Sequence, residues 1–316
     1  MVIRTEMLTK EYNGFRAVES LNLEVATGEI YGFLGPNGAG KTTTILLLLG
    51  VIKPTDGKIF LFEEDLDKSG LDVRKRVGVV AEHQSLYPGM TAWEYLNFFG
   101  ELYEVTDRKK KTLQLLEELN LADVKDKLLS TYSKGMRQKI GFARAFLHDP
   151  DLLILDEPIT GLDPNGVKQI RDLIVSRNKD RKTIFISSHL LSEVEKLCGK
   201  VAIINEGKLL AEEKMEDLKR KIKSDIEVKV ELIKSKKEVI EELAGLPFVK
   251  DIKEDNNIIW MTVNHDKDYR TQIAEAVSRR GGIILNITVQ EMSLEEAFIT
   301  ITSKNIPLLK QAMEMG

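Results

Sequence analysis

The stretch Gly35-Pro36-Asn37-Gly38-Ala39-Gly40-Lys41-Thr42 fits the spacing G-x-x-x-x-G-K-[ST]. Gly35, Gly38 and Gly40 allow backbone torsions that let successive N–H groups curl around phosphate oxygens. A helix opening near Lys41 would add its dipole, Lys41 would neutralise phosphate charge, and Thr42 would ligate Mg²⁺. Asn37 and Thr43 belong to the same loop. A glycine-rich turn with a chance lysine is the plain alternative, but the apolar "EIYGFLG" just before it supplies the strand the motif requires.

Two acids close a second apolar run, "LLILDEP". Asp156 would emerge where a parallel strand ends, positioned to hold Mg²⁺. Glu157 beside it suits the polarisation of an attacking water. Taken alone, the pair could be an exposed acidic strand end. His189 closes a third apolar run, "TIFISSH". A lone histidine is usually a surface or satisfied core residue, but beside a phosphate site it becomes a candidate contact to the γ-phosphate or the water.

The elements that would position these groups alternate. Apolar strands at "EIYGFLG", "RVGVVAE", "DLLILDE", "TIFISSH" and "KVAIINEG" are separated by helical segments such as "TLQLLEELNL" and "NGVKQIRDLIVSRN". That alternation predicts an α/β domain with a largely parallel, covered sheet over residues 1–218. A charged connector, 219–225, follows. Beyond it "IEVKVELI" alternates as a half-buried strand does. Helices at "KKEVIEELAGL" and "YRTQIAEAVSRR" and strands at "NIIWMTV" and "GIILNITV" complete a small α+β, ferredoxin-like domain over 226–316. Ser293 and Glu296 have capping-box spacing before its last apolar stretch.

Composition narrows the functional classes. Among 316 residues, 46 Lys and Arg nearly balance 50 Asp and Glu, which gives no general pull toward nucleic acid or acidic lipid. No nucleic-acid partner is expected. Cys198 is the single cysteine, so no intramolecular disulfide can form, and no secretory signal is evident in "MVIRTEMLTKEY"; both agree with a cytoplasmic setting. The longest apolar run, "ILLLLGVI", is far short of the roughly 20 residues that cross a bilayer as a helix. Any membrane role would come through a partner.

The phosphate loop, "YSKGMRQ", "LLILDEP", "TGLD" and "SSH", in that order, resemble the ATPase subunits of ATP-binding-cassette (ABC) transporters over roughly residues 1–218. The resemblance implies a P-loop NTPase of the ABC type with a helical subdomain. It implies ATP and Mg²⁺ as ligands, and hydrolysis coupled to transport by a separate membrane permease subunit. It also implies two copies paired head to tail at the cytoplasmic face of the membrane. In such a pair Ser133, the Gly135 backbone and the following helix N-terminus would grip the γ-phosphate held by the other copy. By the same resemblance Tyr12 would stack on adenine, Asp163 would touch the opposite site, and Glu82 would contact Mg²⁺. Without it, Ser133 is an ordinary helix cap, Tyr12 ordinary strand packing and Asp163 a turn residue.

Two departures stand out. The commoner signature is LSGGQ, whereas Lys134 and Met136 replace a glycine and the glutamine here. Glu82 stands where the family usually has glutamine, although a carboxylate also ligates Mg²⁺. Between the motifs, "LYPGMTAWEYLNFFGELY" holds Tyr87, Trp93, Tyr95, Phe98, Phe99 and Tyr103. These rings either pack a helical lobe or line a groove for a short helix of the membrane subunit. The tail is similar to the accessory domain of exporter-type cassettes, implying export. A soluble cassette protein acting on ribosome or DNA is the competing reading. Such proteins usually carry a second cassette or a long coiled-coil insertion, and this chain has only one phosphate loop and no heptad run.

Overall fold

The computed structural model describes residues 1–218, 225–233, 237–264 and 267–291. The chain divides into two compact units, Met1–Lys214 and Met215–Gly316. The connector expected at 219–225 falls mostly outside the described residues, and the capping-box pair Ser293 and Glu296 falls wholly outside them.

The first unit is built on two sheets. In the larger one β3 (Ile30–Leu34), β6 (Val77–Val80), β7 (Leu152–Asp156), β8 (Thr183–Ser188), β9 (Lys200–Asn205) and β10 (Lys208–Lys214) lie in the order β10-β9-β3-β8-β7-β6. All its pairings are parallel except the edge hairpin β9-β10. Every residue of β3, β7 and β8 is buried, as continuous apolar strands covered on both faces should be. All five strands expected from the sequence are present. The register sets Asp156 of β7 opposite Ser187 of β8, which brings the two motif-bearing strand ends together.

The smaller sheet is antiparallel, with β1 (Ile3–Tyr12), β2 (Phe15–Val25), β4 (Asp56–Leu61) and β5 (Glu64–Asp65) in the order β2-β1-β4-β5. Its apolar face shares a core with the large sheet, through Leu21, Leu23, Phe33 and Phe185. Sequence patterning did not resolve β1 and β4. Bulges between Thr5 and Leu8 and between Leu8 and Lys10 break the alternation that would have marked β1.

Helix α1 (Lys41–Leu48) leaves the phosphate loop, and α2 (Leu66–Arg74) follows β5. The helical lobe comprises α3 (Ala92–Leu102), α4 (Arg108–Glu118) and α5 (Lys134–Phe146). Thr91 and Glu94 close a reciprocal capping box at the start of α3. The aromatic run divides between its two readings: Tyr95 is wholly buried, while Tyr87 and Phe98 are about half exposed, at 50% and 45%. Helices α6 (Pro164–Lys179) and α7 (Leu191–Val194) complete the unit.

Cys198 is buried against Val194 and the backbone of Gly32, and desolvation pushes its thiol well above the ordinary range. The thiolate is the reactive species. Alkylation by iodoacetamide at pH 8 should therefore run at least ~10-fold slower in the native protein than after denaturation, as mass spectrometry would record.

The second unit runs β11 (Asp225–Leu232), α8 (Lys237–Ala244), β12 (Val249–Asp255), β13 (Ile258–Asn264), α9 (Arg270–Arg279) and β14 (Ile284–Glu291). Its antiparallel sheet has the order β12-β13-β11-β14. Val239 and Leu243 of α8 and Ile273 and Val277 of α9 share one core with Val228, Val230, Ile259 and Met261, so both helices cover the same face. This is the ferredoxin-like arrangement. Strand β12 was not foreseen because VKDIKED at a sheet edge is mostly exposed and has little apolar alternation.

Candidate ATP-binding and hydrolysis site

The chain leaves the end of β3 through residues 35–40 and enters α1 at Lys41. Gly40 has φ +104°, and a Cβ there would lie 2.3 Å from the Ala17 carbonyl oxygen. A Cβ on Gly35 would lie 2.5 Å from the Ile204 carbonyl oxygen. The loop is therefore pressed against β2 on one side and β9 on the other, and only glycine fits at both contacts. Gly40→Ala should cost about 2 kcal/mol or more and lower nucleotide affinity, readable as a Tm shift that added nucleotide no longer offsets.

Lys41 is buried, with its ammonium donating to the carbonyls of Gly35 (2.7 Å) and Pro36 (3.1 Å). It also lies 3.5 Å from Oε1 of Glu157. Thr42 Oγ1 donates to Oδ2 of Asp156 at 3.3 Å. The hydroxyl of Ser187 donates to Oδ1 of the same carboxylate. Asp156 and Glu157 are both 5% exposed, so neither is the exposed strand-end acid of the plain reading.

Glu157 has a left-handed backbone, φ +47°, uncommon outside glycine and characteristic of strained functional positions. Its N–H is held by the hydroxyl of Ser187 (3.2 Å) and by the Ser187 carbonyl (3.2 Å). Its Oε2 accepts from Thr160 Oγ1 (3.3 Å) and lies 2.9 Å from Nδ1 of His189. Its Oε1 is buried without a hydrogen-bond partner. One oxygen thus orients the carboxylate, and the other has only the Lys41 ammonium beside it.

These groups open on a cleft of about 520 Å³. Asn37, Gly38, Gly40, Lys41, Thr42 and Thr43 of the loop and helix start line it together with Glu82, Glu157, Thr160 and His189. Phe15 and Ala17 line its remaining part. Sequence reasoning missed Phe15, Thr160 and Ser187. Thr160 and Ser187 lie within the TGLD and SSH stretches, where only Asp163 and His189 were singled out; that they hold Glu157 and Asp156 appears only in the fold.

Six expected residues are not among those lining the cleft: Gly35 and Asp156, which touch it only through Lys41 and Thr42, and Tyr12, Ser133, Gly135 and Asp163. Tyr12, the expected base contact, stands 45% exposed at the end of β1, with Lys10 Nζ 5.1 Å from its ring centroid. Ser133 caps α5 by accepting from the Met136 N–H at 3.2 Å and is solvent-exposed. The departure at Met136 thus leaves this cap intact, because only its backbone is used. Gly135 lies on the first turn of α5 beside Leu162. Asp163 caps α6, accepting from the Gly166 N–H at 2.7 Å, ahead of Pro164. Gln138 ties α5 to this region by donating to the Pro158 carbonyl at 3.2 Å.

The oxygen donors suit a hard divalent cation. Thr42 and Asp156 are already in contact, and Glu82 faces the same cleft. No cluster of three or more His, Cys, Asp or Glu side chains able to hold a metal occurs among the described residues. So small a set of protein oxygens fits a cation such as Mg²⁺, which keeps waters and phosphate oxygens in its shell. Glu82 also lines a second polar cavity, about 220 Å³, together with Lys134 and Arg137.

Comparison with known proteins agrees with this geometry. A family model described as "ABC transporter" matches residues 18–160. The chain is 41% identical over 302 residues to the bacitracin transport ATP-binding protein BcrA of Bacillus licheniformis, covering 95% of this chain and 97% of that relative. The chain belongs to the ABC transporter ATP-binding family. The daunorubicin/doxorubicin resistance ATP-binding protein DrrA of Streptomyces peucetius is 33% identical, with 95% of this chain and 92% of that one covered. A solved ATP-binding subunit of an ABC transporter superposes with a TM-score of 0.66 at 28% identity, over 70% of this chain and 93% of that one. The chain is thus an ATP-binding, ATP-hydrolysing ABC subunit, and its motif-bearing unit has the cassette fold. The transport names of the relatives favour this reading over action on ribosome or DNA. No helix among the described residues is long and apolar enough to cross a membrane.

Proposed function

We propose that two copies of this chain pair head to tail around two Mg-ATP, and that closure and hydrolysis drive export by a separate permease subunit at the cytoplasmic face of the membrane. The observation that carries this reading is the position of Ser133. A helix N-terminus with free N–H groups is an anion site, yet the start of α5 does not line its own chain's cleft. A second copy supplies the phosphate it is suited to bind. Gly135 would add a backbone N–H to that contact, and Asp163, fixed at the start of α6, would approach the opposite site.

Within each cleft the loop from Gly35 to Thr43 wraps the phosphates, and Lys41 turns from the loop carbonyls to the β- and γ-phosphate oxygens. Thr42 and Asp156 would hold Mg²⁺, with Glu82 as a further contact. When bound, the ion offsets charge on the β- and γ-phosphates. Glu157 accepts a proton from the attacking water at the free Oε1, while Thr160 and His189 fix the carboxylate through Oε2. Asp156 keeps its orientation through the hydroxyls of Ser187 and Thr42.

The exposed rings of Tyr87 and Phe98, stacked edge-on with centroids 6.2 Å apart, form part of the surface that would receive a helix of the permease. The loop from Glu82 runs directly into it, so the occupied state of the cleft can reach the partner. Relatives named for bacitracin transport and for daunorubicin/doxorubicin resistance support an exporter role toward an antibiotic-class compound.

Mixing two inactive variants tests the composite site. Lys41→Ala and Ser133→Arg should each abolish hydrolysis alone, because each spoils both sites of its homodimer. In a mixed dimer one site regains both intact residues, so the mixture should release phosphate. A mixture as inactive as its components, with mixed dimers shown by mass, would remove the trans contact.

A further inference from the structure

Helix α6 touches two parts of the molecule that the sequence keeps far apart. Its cap, Asp163, follows Gly161 and Leu162, which lie against the turn that opens α5. A Cβ on Gly135 would sit 3.4 Å from Cδ2 of Leu162, and one on Gly161 would sit 2.6 Å from Nζ of Lys134. Further along the same helix, about 12 Å from the cap at roughly 1.5 Å per residue, Arg171 donates from Nη2 to Oε2 of Glu193.

Glu193 belongs to α7, the short helix that begins just after His189 and Leu190. Leu191 and Val194 bury its apolar side, Val194 so close to β3 that a Cβ on Gly32 would lie 2.5 Å from its Cγ1. On the polar side Glu193 accepts from Lys196 at Oε1 (2.9 Å) and from Arg171 at Oε2. Burial opposes ionisation of this carboxyl, but Lys196 and Arg171 outweigh it and hold the group below its ordinary range. With side chains only 26% and 18% exposed, the Arg171–Glu193 pair is screened less than a surface pair. Nε of Arg171 is buried without a hydrogen-bond partner, a penalty the pairing with Glu193 has to offset.

His189 has less to hold it. Its Nδ1 lies 2.9 Å from Oε2 of Glu157, and its side chain is 37% exposed. The direction of the ring therefore depends on the backbone behind it. There the Leu190 N–H donates to Oγ of Ser188 (3.0 Å) and the Val194 N–H to the Leu190 carbonyl (3.4 Å). Arg171 fixes that turn from the α6 side.

We propose that Arg171 is a positioning residue for hydrolysis: through Glu193 it sets the turn that aims His189 at Glu157. The setting of α6, whose start would meet a second copy, thereby reaches the carboxylate that handles the water. The proposal rests on the roles given above to Glu157 and His189, and Arg171 itself does not line the cleft.

Arg171→Met and Glu193→Gln each remove the charge pair with little change in side-chain length. Each full-length variant should bind Mg-ATP within about twofold of wild type and release phosphate in a single turnover about 5- to 50-fold more slowly. The double variant should be within about threefold of the slower single one, because both substitutions remove the same contact. In spectra of the ¹⁵N-histidine-labelled chain the His189 ring nitrogens should shift in both variants while those of His148 stay in place. A general loss of stability would not select His189. Unchanged single-turnover release in both variants, effects that multiply in the double variant, or a His189 signal that does not move would each overturn the proposal. Should Arg171→Met fail to fold, Glu193→Gln, which keeps the side-chain shape, decides by the same release and spectral readouts. A wild type that binds Mg-ATP and releases no phosphate would instead overturn the hydrolytic reading on which the proposal stands.

Discussion

Glu157→Gln is expected to bind Mg-ATP about as tightly as the wild type and to release phosphate about 100- to 10,000-fold more slowly. The amide is close in shape to the carboxylate, and its oxygen can still accept from Thr160, so the site should keep its geometry. What it loses is basicity at the buried oxygen that has no hydrogen-bond partner. Folding should change less than on removal of Lys41, because the ammonium 3.5 Å from that oxygen keeps the carbonyls of Gly35 and Pro36 as partners. Single-turnover phosphate release, with nucleotide affinity measured in parallel, separates the chemical step from binding. Equal release by variant and wild type would remove the proton-accepting role from Glu157.

Lys41→Ala should instead fail at binding. Its ammonium is the only Lys or Arg group among the described residues lining the phosphate cleft, and the loop carbonyls of Gly35 and Pro36 already hold it in place. A charge-assisted contact to phosphate in a buried site is among the stronger hydrogen bonds. Removing it should lower Mg-ATP affinity by about 100-fold or more. It also leaves the buried carboxylate of Glu157 without its neighbouring cation, which should destabilise the empty protein by about 3 kcal/mol or more. Lys41→Arg should not restore affinity, because a planar fork does not replace a point ammonium seated between two carbonyls. Titration calorimetry and thermal melts would check both effects; unchanged affinity in Lys41→Ala would contradict the assignment.

The parts of this site that could be read in the sequence are those where chemistry and chain direction coincide. The phosphate loop is continuous, so Gly35, Gly40 and Lys41 declare themselves by spacing, and the structure adds why two of the glycines are required. Asp156 and Glu157 close an apolar run, and burial on both faces of the large sheet makes such a run continuous and visible. The second layer was hidden because it is assembled sideways. Ser187 reaches Asp156 only through the β7-β8 register, and Thr160 returns to Glu157 through a turn. The β1-β2 hairpin shows the same limit. Tyr12 was singled out and its cross-strand neighbour Phe15 was not, yet Phe15 is the one that lines the cleft. In the second unit, strands that alternate strictly were legible, whereas the charged edge strand β12 was not.

The most direct test of the paired arrangement is the mass of the Glu157→Gln chain by sedimentation, without nucleotide and saturated with Mg-ATP. A dimer that appears only with Mg-ATP, holds two nucleotides, and is lost when Ser133→Arg is added is the predicted result. A chain that binds Mg-ATP and stays monomeric, both alone and with its permease, would contradict it.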